Sequence, residues 1–341
     1  MAQQQELLVA YLGQETTWGT EATASWVKLP GITDLSLSPA IEISDFPTLE
    51  GLAPIYNAAV VKDGGEASIS GLLNYEDLPR WLNSLLGTDA TPVPLPNPTT
   101  PTSWRWEYAA PHASAVSSPE MFSLYYGTAT SGYQLLGAMV NTLEISGSSG
   151  EALQLSLGFV GKNVEAEATA QTATGWIQKR TITLAVASDL SVSIDSYKGT
   201  FGATEYACTA YSFSLSLTAN RGLIYAMGSI VPCDTYHQRF DGTLDLTLEF
   251  PGDSDYVKDD LLDALLAGPT LIQKAIEVNV SSDAQNIIDI KFSGTLMDPP
   301  DIFTDSDGIS TVDLSFKGTY DSQNGLWCDI DVTNTVPDLW T

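Results

Sequence analysis

Polar and apolar residues alternate with a period of two along most of this chain. Half-buried antiparallel strands have this pattern, with serine and threonine on the solvent face. Asp-Gly and Gly-Gly signals separate many of the segments, as tight turns between strands require. The pattern predicts a mainly β fold built from β-sandwich or barrel units. The alternating segments are residues 33–44, 66–73, 140–147, 152–161, 211–219, 243–250, 276–282, 287–294 and 311–318.

Two segments depart from the strand pattern and predict one amphipathic helix in each half of the chain, over residues 76–86 and 254–266. Gly87 and Gly268 follow them as helix-ending residues. Each helix has one apolar stripe that must lie on a sheet, so we assign the helices a structural role and no chemistry. The stripes are Leu78, Leu82, Leu85 and Leu86, and Val257, Leu261, Leu265 and Leu266.

The elements come in the same order in both halves, which indicates a duplication. Each half has a strand region, a long irregular segment (43–64 or 219–241), a further strand, the helix, and closing strands. We therefore predict two tandem β domains, 1–166 and 176–341, each with one flanking α-helix and joined by a linker over 167–175. The proline-rich stretch 87–103 has no counterpart in the second half and is interpreted as a surface insertion.

The net charge of the chain indicates which classes of molecule it can bind. The chain has 341 residues, of which 43% are hydrophobic, enough to bury a core. Acidic residues outnumber basic ones by 42 to 14, for a net charge of −28. Such an acidic surface is not expected to bind nucleic acid, because phosphate binding depends on lysine and arginine. Any DNA contact is expected to be repulsive or transient.

The cysteine spacing and the N-terminal sequence indicate the cellular compartment in which the protein is made. Cys208, Cys233 and Cys328 are scattered without metal-ligand spacing, which predicts reduced thiols in a cytosolic setting. We see no signal peptide and no stretch of the roughly 20 apolar residues that a membrane helix needs. Synthesis in a cytoplasm, without membrane insertion, is the expectation.

Residues with catalytic or ligand-binding chemistry are few. His112 and His237 have no partner at ligand spacing, and no hydrolase, metalloprotease or nucleotide-binding motif is present. Asp305 and Asp307 resemble part of a calcium loop but lack its distal glutamate, which favours a tight turn. We therefore expect no catalytic residue, cofactor or metal site. The eight tryptophans are either peripheral core or interface anchors.

The N-terminal stretch 10–43 resembles the opening of tail tube proteins of long-tailed bacteriophages. In that family an E-x-x-(aromatic)-G-T element precedes a (W/F)-x-x-L-P strand and then an S-L-S strand. The stretch 65–87, a glycine, an alternating strand and a helix ended by glycine, fits the same pattern. The matching positions are Glu15, Trp18, Gly19, Thr20, Trp26, Leu29, Pro30 and residues 35–38.

The resemblance implies a virion structural protein that assembles into stacked six-fold rings around a channel for genomic DNA. Because a single-domain member fills one of six ring positions, a duplicated chain implies a trimeric, pseudo-hexameric ring. Its partners would be further copies of itself, the tape measure, tail terminator and distal tail proteins, and double-stranded DNA in transit without specific binding. We expect the irregular segments and the termini to touch neighbouring rings, with candidate contact residues Phe46, Tyr56, Tyr225, Tyr236 and Trp340.

The alternative from another class is a carbohydrate-binding or adhesin-like two-sandwich protein. In that case exposed aromatic side chains would stack on sugars and acids would hold calcium. A glycosidase with paired carboxylates is a more distant alternative, because the sequence places no such pair.

Overall fold

The computed structural model describes residues 8–23, 26–46, 57–87, 92–95, 102–111, 119–128, 131–167, 181–205, 210–249, 271–299, 302–306 and 309–340. The described part is mainly β, with one α-helix, α1 (Leu78–Leu86), and a 3₁₀ turn (Ala187–Asp189). The strands are β1 (Val9–Glu15), β2 (Trp26–Lys28), β3 (Ile32–Pro39), β4 (Glu42–Phe46), β5 (Asn57–Lys62), β6 (Gly65–Leu72), β7 (Val93–Leu95), β8 (Ser103–Ala109), β9 (Met121–Gly127), β10 (Gly132–Ser148), β11 (Gln154–Gly161), β12 (Asn163–Glu167), β13 (Leu190–Ser196), β14 (Ala210–Thr218), β15 (Arg221–Ile224), β16 (Asp234–His237), β17 (Asp241–Glu249), β18 (Gln273–Asp283), β19 (Asn286–Leu296), β20 (Ile302–Ser306), β21 (Ile309–Gly318) and β22 (Cys328–Asn334).

Helix α1 forms where the sequence predicts the first helix. Pro79 lies in its opening turn, and Gly87 ends it in the left-handed conformation, donating its N–H to Asn83 O at 3.1 Å. The predicted apolar stripe, Leu78, Leu82, Leu85 and Leu86, is buried in the core. The predicted second helix, with Val257, Leu261, Leu265 and Leu266, lies outside the described residues.

The strands of the two halves pair in the same order. In the first half the antiparallel order is β1-β9-β10-β11-β6-β3. In the second it is β13-β18-β19-β21-β17-β14, with each strand at the same rank along the chain. This correspondence supports the predicted duplication, which local patterning alone only suggests.

Strands from the two halves also hydrogen-bond to each other. The second part of β10 pairs with β14, and β8 pairs with β22. Isolated bridges from Leu184 to Asn74 and from Val186 to Ala152 also join the two halves. One hydrophobic cluster contains side chains from both halves, from Leu12 to Leu339. The mainly β, antiparallel fold class is confirmed, whereas the division at 167–175 stays a prediction because 168–180 lie outside the described residues.

The segments expected to be irregular instead form two β-hairpins, so that expectation was wrong. β4 pairs with β5, and β15 pairs with β16, each as a separate two-stranded sheet. The hairpins occupy equivalent places, between β3 and β6 and between β14 and β17. Because neither hairpin covers the core with one face, neither shows the period-two alternation that marks the other strands.

The proline-rich insertion also contains structure. β7 pairs with β8, and β8 in turn pairs with β22 near the C-terminus. This part of the insertion is therefore an edge of the sheet rather than a surface loop. Its strand Val93–Leu95 is only three residues long and includes a proline, which explains why the sequence shows no strand there.

Candidate functional site

A continuous, mostly polar surface is formed by the outer face of seven neighbouring strands. β3, β6, β11, β10, β14, β17 and β21 lie side by side in this order, and residues directly opposite each other point to one side of the sheet. We call their solvent side the polar face. Its polar and glycine positions are Asp34, Ser36, Ser38, Glu66, Ser68, Ser70, Gln154, Ser156, Gly158, Thr142, Glu144, Ser146, Ser148, Ser212, Ser214, Ser216, Thr218, Asp241, Thr243, Asp245, Thr247, Glu249, Asp313, Ser315 and Lys317. Two half-buried apolar residues, Leu72 and Val160, also lie on this side.

The strand registers place these side chains in straight rows across the sheet. One complete row crosses all seven strands, from Asp34 through Ser70, Ser156, Glu144, Ser216 and Thr243 to Lys317. The alternate positions, such as Leu35, Ile69 and Leu157, are buried in the core. The same alternation therefore produces both the apolar core and a surface made of short polar side chains.

The charge of the polar face is strongly negative. Its acids are Asp34, Glu66, Glu144, Asp241, Asp245, Glu249 and Asp313, and Lys317 is its one basic residue. Two of the acids are held by neighbouring hydroxyl groups. Ser214 Oγ donates to Glu144 Oε1 at 3.2 Å, and Thr247 Oγ1 donates to Asp313 Oδ1 at 2.7 Å. The face can accept hydrogen bonds and repel anions, and it offers almost no cation to a phosphate.

Shallow depressions lie over this face rather than an enclosed active-site cleft. One of about 450 Å³ spans β10, β14, β17 and β21, and one of about 360 Å³ spans β3, β6, β11 and β10. Serine, threonine, isolated acids and some apolar residues line them, and among these lining residues no base lies beside a nucleophile. Among the described residues, no group of three potential ligands is placed to hold a metal ion.

The motif that carries the family resemblance builds a buried carboxylate site. Glu15 Oε2 accepts the N–H of Gly19 at 2.7 Å, and its Oε1 accepts Ser123 Oγ at 2.7 Å and Gly137 N–H at 2.9 Å. Trp18 Nε1 donates to Gly137 O at 3.0 Å. Burial raises the pKa of Glu15, although the three hydrogen bonds favour its charged form. The glutamate thus ties the turn after β1 to β9 and β10.

The remaining motif residues continue the same scaffold. Thr20 closes a turn through its N–H to Thr17 O at 3.0 Å. Trp26 is buried and donates Nε1 to Ala22 O at 2.9 Å, and Leu29 N–H bonds to Ala10 O at 3.1 Å. Pro30, also buried, follows directly. These motif residues explain how the N-terminal strands are held. The last four motif positions, 35–38, lie in β3 and contribute Ser36 and Ser38 to the polar face.

Trp340 packs within its own chain. Its indole Nε1 donates to Glu120 Oε1 at 2.6 Å, and its ring lies 5.9 Å from Phe122 between centroids. The Arg80 guanidinium carbon lies 4.9 Å from the ring centroid. Arg80 is fully buried, pairs with Asp77 at 2.6 Å and also donates to the Leu339 carbonyl. The last residues described are therefore anchored on helix α1.

The other candidate contact residues divide between described and undescribed positions. Tyr236 is exposed on β16, and Tyr225 is half-buried beside Lys62, whose Nζ lies 5.8 Å from its ring centroid. Phe46 is in β4, but its side chain and the whole of Tyr56 lie outside the described residues. Interface roles for these residues stay a prediction.

The positions weighed for catalysis, metal binding or thiol chemistry are not brought together. His237 is exposed at the end of β16, while His112, Asp307 and Cys208 lie outside the described residues. Asp305 is in β20, and the placement of its side chain is not described. Cys233 is exposed and Cys328 is buried, both as free thiols. Trp26, Trp81, Trp106 and Trp327 are buried in the core.

A charged group on β18, β19 and β22 could not be identified from the sequence. Glu277, Lys291 and Asp329 are opposite one another across these strands, beside Asp289 and Asp331. Burial, together with the neighbouring Asp289, raises the pKa of Glu277 to about 7. Lys291 Nζ contacts Asp289 at 3.0 Å and Asp331 at 3.6 Å. Period-two spacing predicts exposed positions, but strand neighbours decide which charges meet.

In the described part of the chain, no helix has the length and apolarity of a membrane span. A family model described as phage tail tube protein matches residues 7–318. No curated protein matches the sequence.

Proposed function

The chain belongs to the phage tail tube protein family, and from this membership and the geometry above we propose that it self-assembles into stacked rings forming the hollow tail tube. It is a structural protein of the phage tail. In the proposal each ring contains three chains, so that each chain fills two of six equivalent positions. Genomic DNA passes through the channel without specific binding. The polar face carries the proposal, because we assign it to the channel wall.

A channel for DNA needs a wall that does not retain phosphate. The polar face presents hydroxyl groups and acids over seven strands, with Lys317 as its one basic side chain. Retention would require several lysine or arginine contacts and the release of their counterions. Carboxylates repel the duplex over about a Debye length, roughly 8 Å at physiological salt. The face therefore favours passage over binding.

The shared order of strands in both halves supports the count of three chains. If one unit occupies one ring position, a chain with two units occupies two neighbouring positions. The pairing of β10 with β14 already continues the sheet from one unit to the next within the chain. A ring of six units then closes with three such chains.

The two hairpins are the surfaces that we assign to contacts between stacked rings. They lie against each other, because Asp63 N–H donates to Ile230 O at 2.8 Å at the base of β5. Ile43, which is 64% exposed, and Tyr236, which is 45% exposed, illustrate their apolar character. An exposed apolar patch of this kind marks a protein contact. The exposed apolar side chains on or beside the two hairpins are Ile41, Ile43, Val60, Ile224, Met227, Ile230 and Tyr236.

Family membership also implies contacts with other tail proteins. We propose the tape measure, tail terminator and distal tail proteins as partners, the virion tail as the final location and the host cytoplasm as the site of synthesis. The alternative is a carbohydrate-binding or adhesin-like protein. It predicts a monomer that binds sugar and is stabilised by calcium, so rings or tubes seen by electron microscopy would exclude that behaviour as the main role.

The channel assignment is tested by reversing charge on the polar face. Phages are assembled with a chain carrying Glu144→Lys, Asp245→Lys and Asp313→Lys, and a second set carries Glu144→Gln, Asp245→Asn and Asp313→Asn. We expect tubes of normal diameter and slower DNA ejection, most marked for the lysine set, because phosphates would now find cations along the channel.

The matched control reverses three exposed acids elsewhere, with Glu21→Lys, Glu165→Lys and Glu205→Lys. It changes the net charge of the chain by the same amount. If both lysine sets eject DNA at the normal rate from intact tubes, the polar face does not line the channel. If the control slows ejection as much as the polar-face set, net charge rather than the wall is responsible.

A further inference from the structure

We propose that the outer edge of β3 pairs with the outer edge of β20 in a neighbouring copy of the same chain. This antiparallel pairing would repeat between chains the pairing that joins β10 to β14 within one chain. The inference rests on the proposed self-assembly and names the strands and the register that accomplish it. The occupant of each edge is therefore a second copy of this chain.

The junction inside the chain is the template. Seven residues of β10, from Thr142 to Ser148, face Thr218 to Ser212 of β14 in unbroken antiparallel register. β14 is covered on its other edge by β17. Here β14, the last strand in the order of the second unit, pairs with the edge of β10 that β11 leaves free.

Strand β3 is the equivalent of β14. Pro39 lies opposite Gly65 at the start of β6, as Leu217 lies opposite Gly242 at the start of β17. Counting back from these positions aligns Leu37 with Leu215, which are both on the core side of their strands. The two strands therefore occupy the same place in the two units, but β14 has neighbours on both edges.

Strand β20 is the equivalent of the end of β10. Ile302 lies opposite Val312 of β21, as Ile145 lies opposite Leu155 of β11. The alignment of β11 with β21 is set by a shared Phe-x-Gly ending, Phe159 to Gly161 and Phe316 to Gly318. β20 therefore offers the backbone edge that β10 offers to β14.

Both edges are free in the part of the chain that the structure describes. β3 pairs there with β6, and β20 pairs with β21, each along one edge. Ser36 and Ser38 are exposed, whereas their equivalents Ser214 and Ser216 are half-buried beside β10. Free edges in monomeric proteins are usually blocked by lysines, bulges or covering loops. β3 has Asp34 as its one charged residue, so it is available for pairing.

The template also fixes the register. Ile145 faces Leu215, so position 302 should face Leu37 of the neighbouring chain. Ser146 faces Ser214, so position 304 should face Ser36 of that chain. Directly opposed residues have Cα atoms about 4.5–5.5 Å apart, which a disulfide can bridge.

The test is oxidative cross-linking of assembled Ser36→Cys/Thr304→Cys protein in a chain also carrying Cys208→Ser and Cys233→Ser, with buried Cys328 left in place. We expect most chains to become covalently linked to neighbours, giving dimers and trimers on denaturing gels that dithiothreitol converts to monomers. Mixing the Ser36→Cys chain with the Thr304→Cys chain should give linked dimers, while either chain alone should not.

Two matched controls use the same chemistry. Ser146→Cys/Ser214→Cys reproduces the template and should close within one chain, without forming linked multimers. Ser68→Cys/Thr304→Cys moves one cysteine a strand farther from the edge, to about 10 Å, beyond the reach of a disulfide. Ser68 is directly opposite Ser36, so both variants replace one serine on the same side of the sheet with cysteine.

The outcomes separate this inference from the proposed function. If tubes form but Ser36→Cys/Thr304→Cys links no better than Ser68→Cys/Thr304→Cys, the edge pairing is wrong, whereas the proposed tube function remains supported. If the unmodified chain forms neither rings nor tubes with its phage partners, the proposed function itself fails. Linked dimers from the mixed single variants would support both the edge pairing and the self-assembly of the chain.

Discussion

Arg80 anchors the last described residues to helix α1, and replacing it should destabilise the whole chain. The Arg80 side chain is fully buried and the Asp77 side chain is 4% exposed, with 2.6 Å between Nη1 and Oδ1. The Arg80→Met variant leaves the Asp77 carboxylate buried without a counter-charge. Breaking a buried ion pair in this way costs about 3–5 kcal/mol. The variant also loses the hydrogen bond to Leu339 O and the contact with Trp340.

This free energy can be converted to a shift in unfolding temperature. For 341 residues, an unfolding entropy of about 2.1 cal/mol/K per residue gives roughly 0.7 kcal/mol per degree. The loss of about 3–5 kcal/mol should therefore lower Tm by about 4–7 °C. Calorimetry or circular dichroism of the unassembled chain measures the shift.

Two variants test the reasoning. Asp77→Asn/Arg80→Met removes both charges and should recover much of the lost stability, since a neutral buried pair avoids the uncompensated carboxylate. Arg239→Met removes an arginine from an exposed ion pair with Asp241 and should change Tm by about 1 °C or less. If Arg80→Met and Arg239→Met shift Tm equally, or the double variant is no better than Arg80→Met, the burial argument is refuted.

Three further predictions concern buried groups. The folded state should bind the Glu277 proton more tightly than the unfolded state, because folding raises the pKa of Glu277 to about 7. The stability that protonated Glu277 contributes is complete below about pH 4.5 and is lost as the pH rises through 7. Glu277→Gln should therefore flatten the decline of Tm between pH 5.5 and 8. Gly137→Ala should lower Tm more than Gly150→Ala: both glycines have positive φ, but only at Gly137 would the new Cβ approach Trp18 Nε1, to 2.5 Å. Glu15→Gln should cost about 1–3 kcal/mol, because its amide turns an N–H towards donors, whereas exposed Glu66→Gln should be nearly neutral in the same thermal melt.

Local alternation was enough to predict the strands that line the core, but not their neighbours. β6, β14, β17 and β21 all overlap predicted segments whose polar residues, mainly serine and threonine, alternate with apolar ones. The pairing of β10 with β14 joins residues far apart in sequence, and no local pattern encodes such a contact. The polar face could therefore not be assembled from the sequence, although its residues were recognisable as solvent-facing.

The N-terminal motif shows a second limit of prediction from the sequence. The resemblance identified Glu15, Trp18 and Gly19 by their spacing, but their role depends on Ser123 and Gly137, more than 100 residues away. The hairpins were missed for a third reason, since their two faces both lie outside the core and periodicity reports burial on one face. In each case the missing information is the tertiary contact that gives a residue its environment.

The two junctions of the proposed ring are equivalent in strand pairing but unequal in strength. Within the chain, Arg221 follows β14 and donates Nη2 to Ser84 O and Leu85 O, both at 2.7 Å, at the end of helix α1. These carbonyls have no partner within the helix, and the cation also favours the negative end of the helix dipole. Counting from the aligned residues Leu217 and Pro39, the position of Arg221 corresponds to Ile43 in the first unit.

The junction between chains therefore lacks this arginine as well as the covalent link. In its place stands Ile43, an exposed apolar side chain on the hairpin that we assign to the neighbouring ring. Duplication followed by divergence would thus fix half of the ring junctions during folding and leave the other half to depend on chain concentration and stacking. In the proposed ring, tube growth requires three associating chains rather than six, and a chain that has not yet joined a ring retains an unpaired edge at β3.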